Sequence, residues 1–339
     1  MRSLFISNPQ STSLNDSVSR AVVPELLKAT DLVSCFTQYA GHAEDMVRGL
    51  TRDDYDAVII MGGDGSVNEV LNGLLGTDLE ARPSPADIPA LAVIPSGSAN
   101  VFARALGYPN SPGEAAKKLA GFLQRGITRT VSAGFAANRF FLVNVGFGMD
   151  AAVIKAMEKL RGKGISATAG MYGVIAANAW HRLRKFPPTI RITATVEGDR
   201  PREVSLSNIP FVVVTNTTPW TYAGAIPLVT NPEQTLEKAL SLFALQDISG
   251  LRGLGAVMHA VGAGRRLLNS FDFTARQVHL DDVTRIHFAS DDALPAQVDG
   301  ESVEETRHMT ITSIPRCIEV VAHPDDTYED IIGDALNIR

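Results

Sequence analysis

Cysteine is nearly missing from this chain: only Cys35 and Cys317 occur. Two thiols cannot build a disulfide framework, so a reducing cytosol is the compartment that fits. No apolar stretch reaches the roughly 18 residues of a spanning helix without glycine or polar interruptions, so no transmembrane segment is expected. The N-terminal MRSLFISNPQ has one arginine and a short apolar run, which is not a secretory signal. A basic surplus is lacking as well. The formal net charge of −6 argues against a general nucleic-acid binder, although local basic patches remain allowed. Internal repeats and low-complexity segments are absent too. What is left, 45% hydrophobic and 20% charged residues, is ordinary for a soluble globular protein. At 339 residues the chain exceeds the usual single domain, so two are expected. A membranous substrate would have to be reached from the surface.

The chain is organised around residues 56–76, DAVIIMGGDGSVNEVLNGLLG. Residues 57–61 are an apolar, β-branched run stopped by Gly62-Gly63, which predicts a buried strand. From Ser66, Val67, Val70, Leu71, Leu74 and Leu75 recur at helical spacing, with Asn68, Glu69 and Asn72 on other faces. Ser66 with Glu69 three residues on predicts a capping box. Between strand and helix, three glycines in four residues let the backbone turn and approach a ligand with no Cβ in the way. The helix start beyond offers unpaired N–H groups and a positive dipole end, which suit a phosphate. Asp64 cannot serve to attract that phosphate, since its charge repels it. A bound Mg²⁺, a hydroxyl awaiting deprotonation and a plain turn residue are the readings open to it.

Residues 4–7 predict a first strand ended by Asn8-Pro9, and residues 14–29 a helix bent or restarted at Pro24. Strands follow at 32–37 and 90–94, and helices at 41–50 and 114–125. The words PSGSAN at 95–100 open a further helix through Leu106. This alternation predicts an α/β, doubly wound parallel sheet, whose ligands sit beyond the carboxyl ends of its strands. Asn8, Thr37, GGDGS and PSGSAN all fall at those ends. Past Gly126, short β-like runs lie at 140–145, 190–196, 211–215, 278–280, 285–289, 308–312 and 318–322. They predict a mainly antiparallel second domain, interrupted by helices near 151–159, 169–183 and 251–268. The expected division is 1–130 and 131–339, with room for the extreme C-terminus to pack back on the first domain.

With these words in place, the sequence resembles the diacylglycerol kinase catalytic family, which includes bacterial lipid kinases and sphingosine kinases. The matching words are SNPQS at 7–11, TQYAGHA at 37–43, GGDGSVNE at 62–69, IPSGSANVFARAL at 94–106, VNVGFGMDA at 143–151 and VDGE at 298–301. They occur in the family's order and span nearly the whole chain. The resemblance implies a nucleotide-binding α/β domain, a C-terminal antiparallel β-sandwich-like domain, and an active site in the cleft between. It implies ATP and Mg²⁺ as cofactors and transfer of the γ-phosphoryl group to a lipid hydroxyl, with diacylglycerol giving phosphatidic acid. The implied ATP contacts are Asn8, Pro9, Gln10, Ser11, Thr12, Thr37, Gly62, Gly63, Asp64, Gly65, Ser66, Val67, Asn68, Glu69 and Ser98. Glu301 matches the proposed proton acceptor, and Asp64 is a second catalytic carboxylate that holds Mg²⁺ or shares proton removal. Asp299 is a further metal-side candidate, and Asp150 a candidate for the lipid head group. From the residues alone, Asp299-Gly300 is a good hairpin turn and Asp150 equally a helix-start aspartate.

Two departures from the family pattern stand out. Ser11 is followed by Thr12-Ser13 where a glycine is usual. Lys238-Ala239 stands where relatives carry an aspartate-glycine pair associated with a structural Mg²⁺. An ammonium cannot ligate a cation, so that auxiliary site is expected to be absent or rebuilt with Glu233 or Glu237. On the lipid side, Lys155, Lys159, Arg161, Lys163, Arg182, Arg184, Lys185 and Arg191 flank an apolar helix carrying Trp180, near Phe186. Such a cluster could rest on an anionic bilayer or be the solvated ends of a packed helix. Trp220-Thr221-Tyr222 could line an acyl-chain entrance or pack in a loop. The implied partner is a lipid at the inner membrane surface, with no nucleic acid and with a homodimer left open. Other lipid acceptors, a soluble-substrate kinase of the NAD kinase type, and a silent nucleotide- or lipid-binding protein are the alternatives.

Overall fold

The computed structural model describes residues 1–8, 16–148, 185–198, 200–223, 226–248 and 277–324, with isolated positions between 151 and 183. The helices expected near 151–159, 169–183 and 251–268 lie wholly or mostly outside these residues. The chain divides into two compact units. One comprises Met1–Ala133, Asn138–Leu142 and the chain from Pro315 on; the other comprises Gly134–Ala137 and Val143–Ile314. The fold is mixed α/β, rich in strands.

In the first unit, strands β1 (Arg2–Ser7), β2 (Asp31–Phe36), β3 (Ala57–Gly62) and β4 (Ala90–Pro95) form a parallel sheet in the order β2-β1-β3-β4. Every residue of β3 and β4 is buried, as unbroken apolar strands in the middle of a parallel sheet must be. Each Ile or Val so buried contributes about 1.5–3 kcal/mol of transfer free energy. At the edge, β2 is mostly exposed. Helices α1 (Asp16–Leu27), α2 (His42–Val47), α3 (Asp64–Leu75), α4 (Val101–Ala105) and α5 (Pro112–Arg125) complete the unit, with α1 packed on α5 and α2 on α3. The helix does not restart at Pro24 but runs through it. Pro24 lies inside α1 at an exposed position, where water can serve the carbonyl that loses its partner.

Helix α3 also corrects the sequence expectation. It starts at Asp64, two residues before Ser66, with Gly63 at the N-cap and no side-chain cap. The capping box does not form. Ser66 and Glu69 both lie within the helix, and Glu69 instead accepts hydrogen bonds from Gly41 N (2.9 Å) and Ala43 N (3.2 Å) at the start of α2. Asn68 and Asn72, expected off the apolar face, are buried. Their amides tie α3 to strand β6 (Arg139–Phe141), which follows β5 (Arg129–Ala136): Asn68 donates to Phe140 O at 2.8 Å, and Phe140 N donates to Asn72 Oδ1 at 2.8 Å.

The second unit is antiparallel. It contains β7 (Asn144–Phe147), β8 (Ile190–Val196), β9 (Arg202–Ile209), β10 (Phe211–Thr215), the small pair β11 (Thr221–Ala223) and β12 (Ile226–Leu228), then β13 (Leu240–Leu245). Two long strands follow, β14 (Gln277–Val298) and β15 (Glu301–Val320), of which β15 belongs to this unit as far as Ile314. The runs expected at 278–280 and 285–289 are thus one strand, and those at 308–312 and 318–322 belong to another. The run expected at 140–145 is split between β6 and β7. Strand β14 pairs with β13 near its start, β8 in its middle and β7 at its end. Since β13-β10-β7 are also paired in series, the ladder returns on itself. Trp220 packs against a cluster that includes Phe211, Phe243 and Leu245, so it belongs to this core.

Residues 231–241 do not fit the auxiliary Mg²⁺. Gln234 is buried, and its amide nitrogen donates toward three carbonyl oxygens: Ala239 (2.9 Å), Thr235 (3.0 Å) and Asn216 (3.3 Å). Its Oε1 and the Asp281 carboxylate share the Ser241 hydroxyl, 2.6 Å from each. A neutral N–H₂ group therefore gathers the carbonyls that a cation would need at about 2.0–2.6 Å. Glu233 and Glu237 are exposed, and the Lys238 ammonium donates to Glu233 O at 2.8 Å. Chelation with EDTA should consequently leave the melting temperature unchanged, whereas Gln234→Ala should cost about 1–3 kcal/mol by orphaning buried carbonyls. A melt that drops with EDTA and recovers with Mg²⁺ would contradict this account.

The two thiols offer a second check. Cys317 is buried, and loss of solvation pushes its thiol up to about 12. At pH 8 its thiolate fraction is then about 10⁻⁴, so alkylation of the native chain should stop after Cys35, which is partly exposed on β2. Mass spectrometry should show the second adduct only after denaturation; rapid double labelling of the folded protein would refute the burial.

Candidate active site

The carboxyl ends of β3 and β4 carry the two glycine turns. Gly62 pairs with Pro95, and Ser96 N donates to Gly62 O at 3.0 Å, so the ladder runs one residue into the turns. Beyond it the two backbones touch. A Cβ placed on Gly97 would lie 2.5 Å from Gly63 Cα, and one on Gly63 would lie 3.2 Å from Gly97 Cα. Neither glycine has a positive φ. Close approach is what excludes a side chain here, and the backbone approached is the other turn.

Asp64 completes the join. Its Oδ2 accepts from Val101 N and its Oδ1 from Phe102 N, both at 3.0 Å, so one carboxylate from GGDGS caps the helix that PSGSAN opens. Burial raises the carboxyl above the usual aspartate range, against the lowering effect of the Phe102 and Val101 N–H bonds. Asn100, left-handed at φ 50, holds the second turn from within: its Oδ1 accepts from Gly97 N at 2.7 Å and its Nδ2 donates to Gly97 O at 2.9 Å. The two sequence words are one structure.

Around this clasp the expected residues separate into groups. Asn8 follows the end of β1 and is exposed, while Thr37 follows β2 and donates its N–H to Ser7 O at 3.0 Å. Gly63, Asp64, Gly65 and Ser66 are half-buried in the first turn of α3, and Ser98 is exposed beside Gly97. These residues and Gly62 share the carboxyl rim of one sheet. Val67 and Asn68 do not face that rim freely: Val67 is core, and the Asn68 Oδ1 accepts from Arg139 Nη2 at 2.8 Å. Glu69 is engaged at α2. Pro9, Gln10, Ser11, Thr12 and Asp150 lie outside the described residues.

In the second unit, Asp299 and Gly300 have φ of 49 and 82 and form a two-residue hairpin turn between β14 and β15. Glu301 pairs with Val298 across it and is exposed. Asp299 is buried, and its Oδ1 accepts from Val143 N (2.8 Å) and Asn144 N (3.1 Å). Gln297, also buried, donates to Asn144 Oδ1 at 2.5 Å and accepts from Gly300 N at 2.7 Å. Asn144 in turn donates to Trp220 O at 2.8 Å. Sequence reasoning missed Gln297 and Asn144 as supports. Their only signal was a polar residue inside an apolar run.

Among the described residues no group of three or more His, Cys, Asp or Glu side chains stands ready to hold a metal. The Asp64 oxygens and Asp299 Oδ1 already accept backbone N–H bonds. This donor set fits an ion carried mainly by phosphates and water, as Mg²⁺ prefers, and not a protein cage.

Comparison with known proteins finds similar chains. Residues 2–134 match the family model of the diacylglycerol kinase catalytic domain. The chain is 37% identical over 112 residues to the diacylglycerol kinase of Bacillus subtilis, a match covering 33% of each chain. It is 27% identical over 249 residues to the probable lipid kinase YegS-like of Chromohalobacter salexigens, covering 72% of this chain and 69% of that one. In fold it is similar to the crystal structure of a diacylglycerol kinase from Bacillus anthracis, with TM-score 0.64, 23% identity, and 95% and 97% of the two chains covered. The match thus spans only about a third of the Bacillus subtilis enzyme, while the residues that the family model matches, 2–134, include the two-turn clasp. Residues 2–134 are thus similar to the diacylglycerol kinase catalytic domain.

Proposed function

We propose that this chain is an ATP-dependent lipid kinase that transfers the γ-phosphoryl group to a lipid hydroxyl, with diacylglycerol as the first-choice acceptor. The observation that carries the reading is the clasp of GGDGS on PSGSAN at the sheet rim, inside the segment that the family model matches. Phosphoryl transfer asks for positioning and charge neutralisation more than for covalent help. The first-turn N–H groups of α3 can supply part of that neutralisation. Asp64 does not spoil it, because its carboxylate is occupied by the α4 N–H groups and burial favours its protonated form. Its assigned role is to hold the two turns in register. Mg²⁺, arriving on the triphosphate, supplies the remaining positive charge when bound.

Glu301 is assigned the proton of the acceptor hydroxyl. It is an exposed carboxylate at the tip of a hairpin whose turn is fixed by Asp299 and Gln297 from beneath. No described helix is long and apolar enough to cross a membrane, so the lipid is reached from its surface. Phe186, 72% exposed with the Lys185 ammonium 5.4 Å from its ring, offers one apolar contact for that surface. Most other members of the basic cluster, with Trp180, lie outside the described residues, and Arg191 is paired with Asp291 at 2.9 Å.

Incubation with labelled ATP, Mg²⁺ and a total lipid extract tests the reading. Labelled phosphatidic acid is the expected product; label in another phospholipid keeps the kinase and changes the acceptor. Label only in NADP, or none despite ATP binding, would replace it with a soluble-substrate kinase or a silent binder. Glu301→Gln should lower turnover by about 10²–10⁴ with ATP affinity unchanged. Near-normal turnover in that variant would remove Glu301 from the chemistry.

A further inference from the structure

Gln297 stands where a buried strand ordinarily carries an aliphatic side chain. There β14 is flanked by β7 on one side and β15 on the other, and Ala296, Gln297, Val298 and Asp299 are all buried. A valine would suit that place without the desolvation cost of an amide. The turn does not call for the amide either, since Asp299-Gly300, with both φ positive, closes a two-residue hairpin unaided. What the amide adds is reach. Gln297 Oε1 accepts from Gly300 N at 2.7 Å, on the residue that precedes Glu301.

The bonds that continue from it can run in one direction only. The Gly300 N–H is a donor, so Gln297 must offer its oxygen there and turn its nitrogen away. That nitrogen donates to Asn144 Oδ1 at 2.5 Å, which leaves the Asn144 nitrogen to donate to Trp220 O at 2.8 Å. Asn144, itself buried, also closes on the turn through its backbone. Its N–H donates to Asp299 Oδ1 at 3.1 Å, and its carbonyl accepts from Asp299 N at 2.9 Å. At the far end Trp220 is held too, by its N–H on Leu228 O at 3.0 Å and by its packing on the Phe211 and Phe243 cluster. Two side-chain amides therefore tie the turn beside Glu301 to the loop after β10. We propose that Gln297 and Asn144 are positioning residues for the proton transfer, acting through Glu301 by holding its hairpin in one place against the Trp220 loop. The inference rests on the kinase reading, which gives Glu301 the proton, and adds the two residues on which its placement depends.

A double-mutant cycle in the full chain tests this, with labelled ATP, Mg²⁺ and a total lipid extract as substrates. Gln297→Met keeps the length of the side chain and removes its donor and acceptor. It should lower kcat by about 10- to 100-fold, the scale of a small misplacement at a reacting centre, with the KM values for ATP and lipid unchanged. In a Glu301→Gln background the same change should cost less than about twofold, because the group it positions is already gone. Asn144→Leu, which breaks the relay at its other amide, should repeat both results. An equal loss from Gln297→Met in the two backgrounds, or a normal kcat in either single variant, would overturn the relay and leave the kinase reading intact. Amide exchange at Gly300 in the parent chain needs no variant: protection is expected, and the rate of an open turn would overturn the relay. Near-normal turnover in Glu301→Gln, or a parent chain that phosphorylates no lipid, would overturn both.

Discussion

The contact on which the first unit depends is between two peptide backbones. Gly63 and Gly97 approach so closely that a methyl group on Gly97 would fall 2.5 Å from a backbone carbon of the other turn. Asp64 then bridges the same two segments with both carboxylate oxygens. These features answer the electrostatic difficulty that an aspartate presents in a turn proposed to face a phosphate. Its charge is directed at α4 and dispersed over two N–H groups, and burial lowers the tendency to carry it at all. Asp64's own N–H, in the first turn of α3, also lowers the carboxyl's tendency to hold its proton, so the two helix starts share that group.

A similar division of labour runs through both units. Polar side chains do the positioning: buried Asn68 and Asn72 at β6, half-buried Glu69 at α2, buried Asn144 and Gln297 under the hairpin, and buried Gln234 in its loop. Each has its partners in place, as burial demands. The group proposed for the chemistry, Glu301, is instead exposed, on a hairpin held from beneath by Asp299 and Gln297. Fixed support beneath an accessible group is the condition for in-line transfer, where small misplacements cost large factors in rate.

The parallel strands, the glycine words and the Asp299-Gly300 hairpin were all legible in the sequence, because each rests on local periodicity or a local φ requirement. The start of α3 was not. Ser66 and Glu69 have the right spacing for a box, but Gly63 takes the cap and Glu69 is claimed by a loop 26 to 28 residues away. The lengths of β14 and β15 were hidden by acidic pairs that read as turns. Asp282, at φ 54, and the register shifts between Ala289 and Ala296 bend β14 without ending it. Gln234 gave no signal at all, since its three carbonyl partners are set by tertiary packing. The likeness to the family was legible through its words, and the geometry adds why those words belong together.

The clasp itself is best tested by amide hydrogen exchange at Val101 and Phe102 in the parent chain and in Asp64→Asn. The account predicts that both amides are protected in the parent and exchange about tenfold faster or more in the variant, consistent with one lost charged hydrogen bond, while β3 and β4 amides keep their rates. Equal protection at Val101 and Phe102 in the two proteins would show that Asp64 does not hold the turns together.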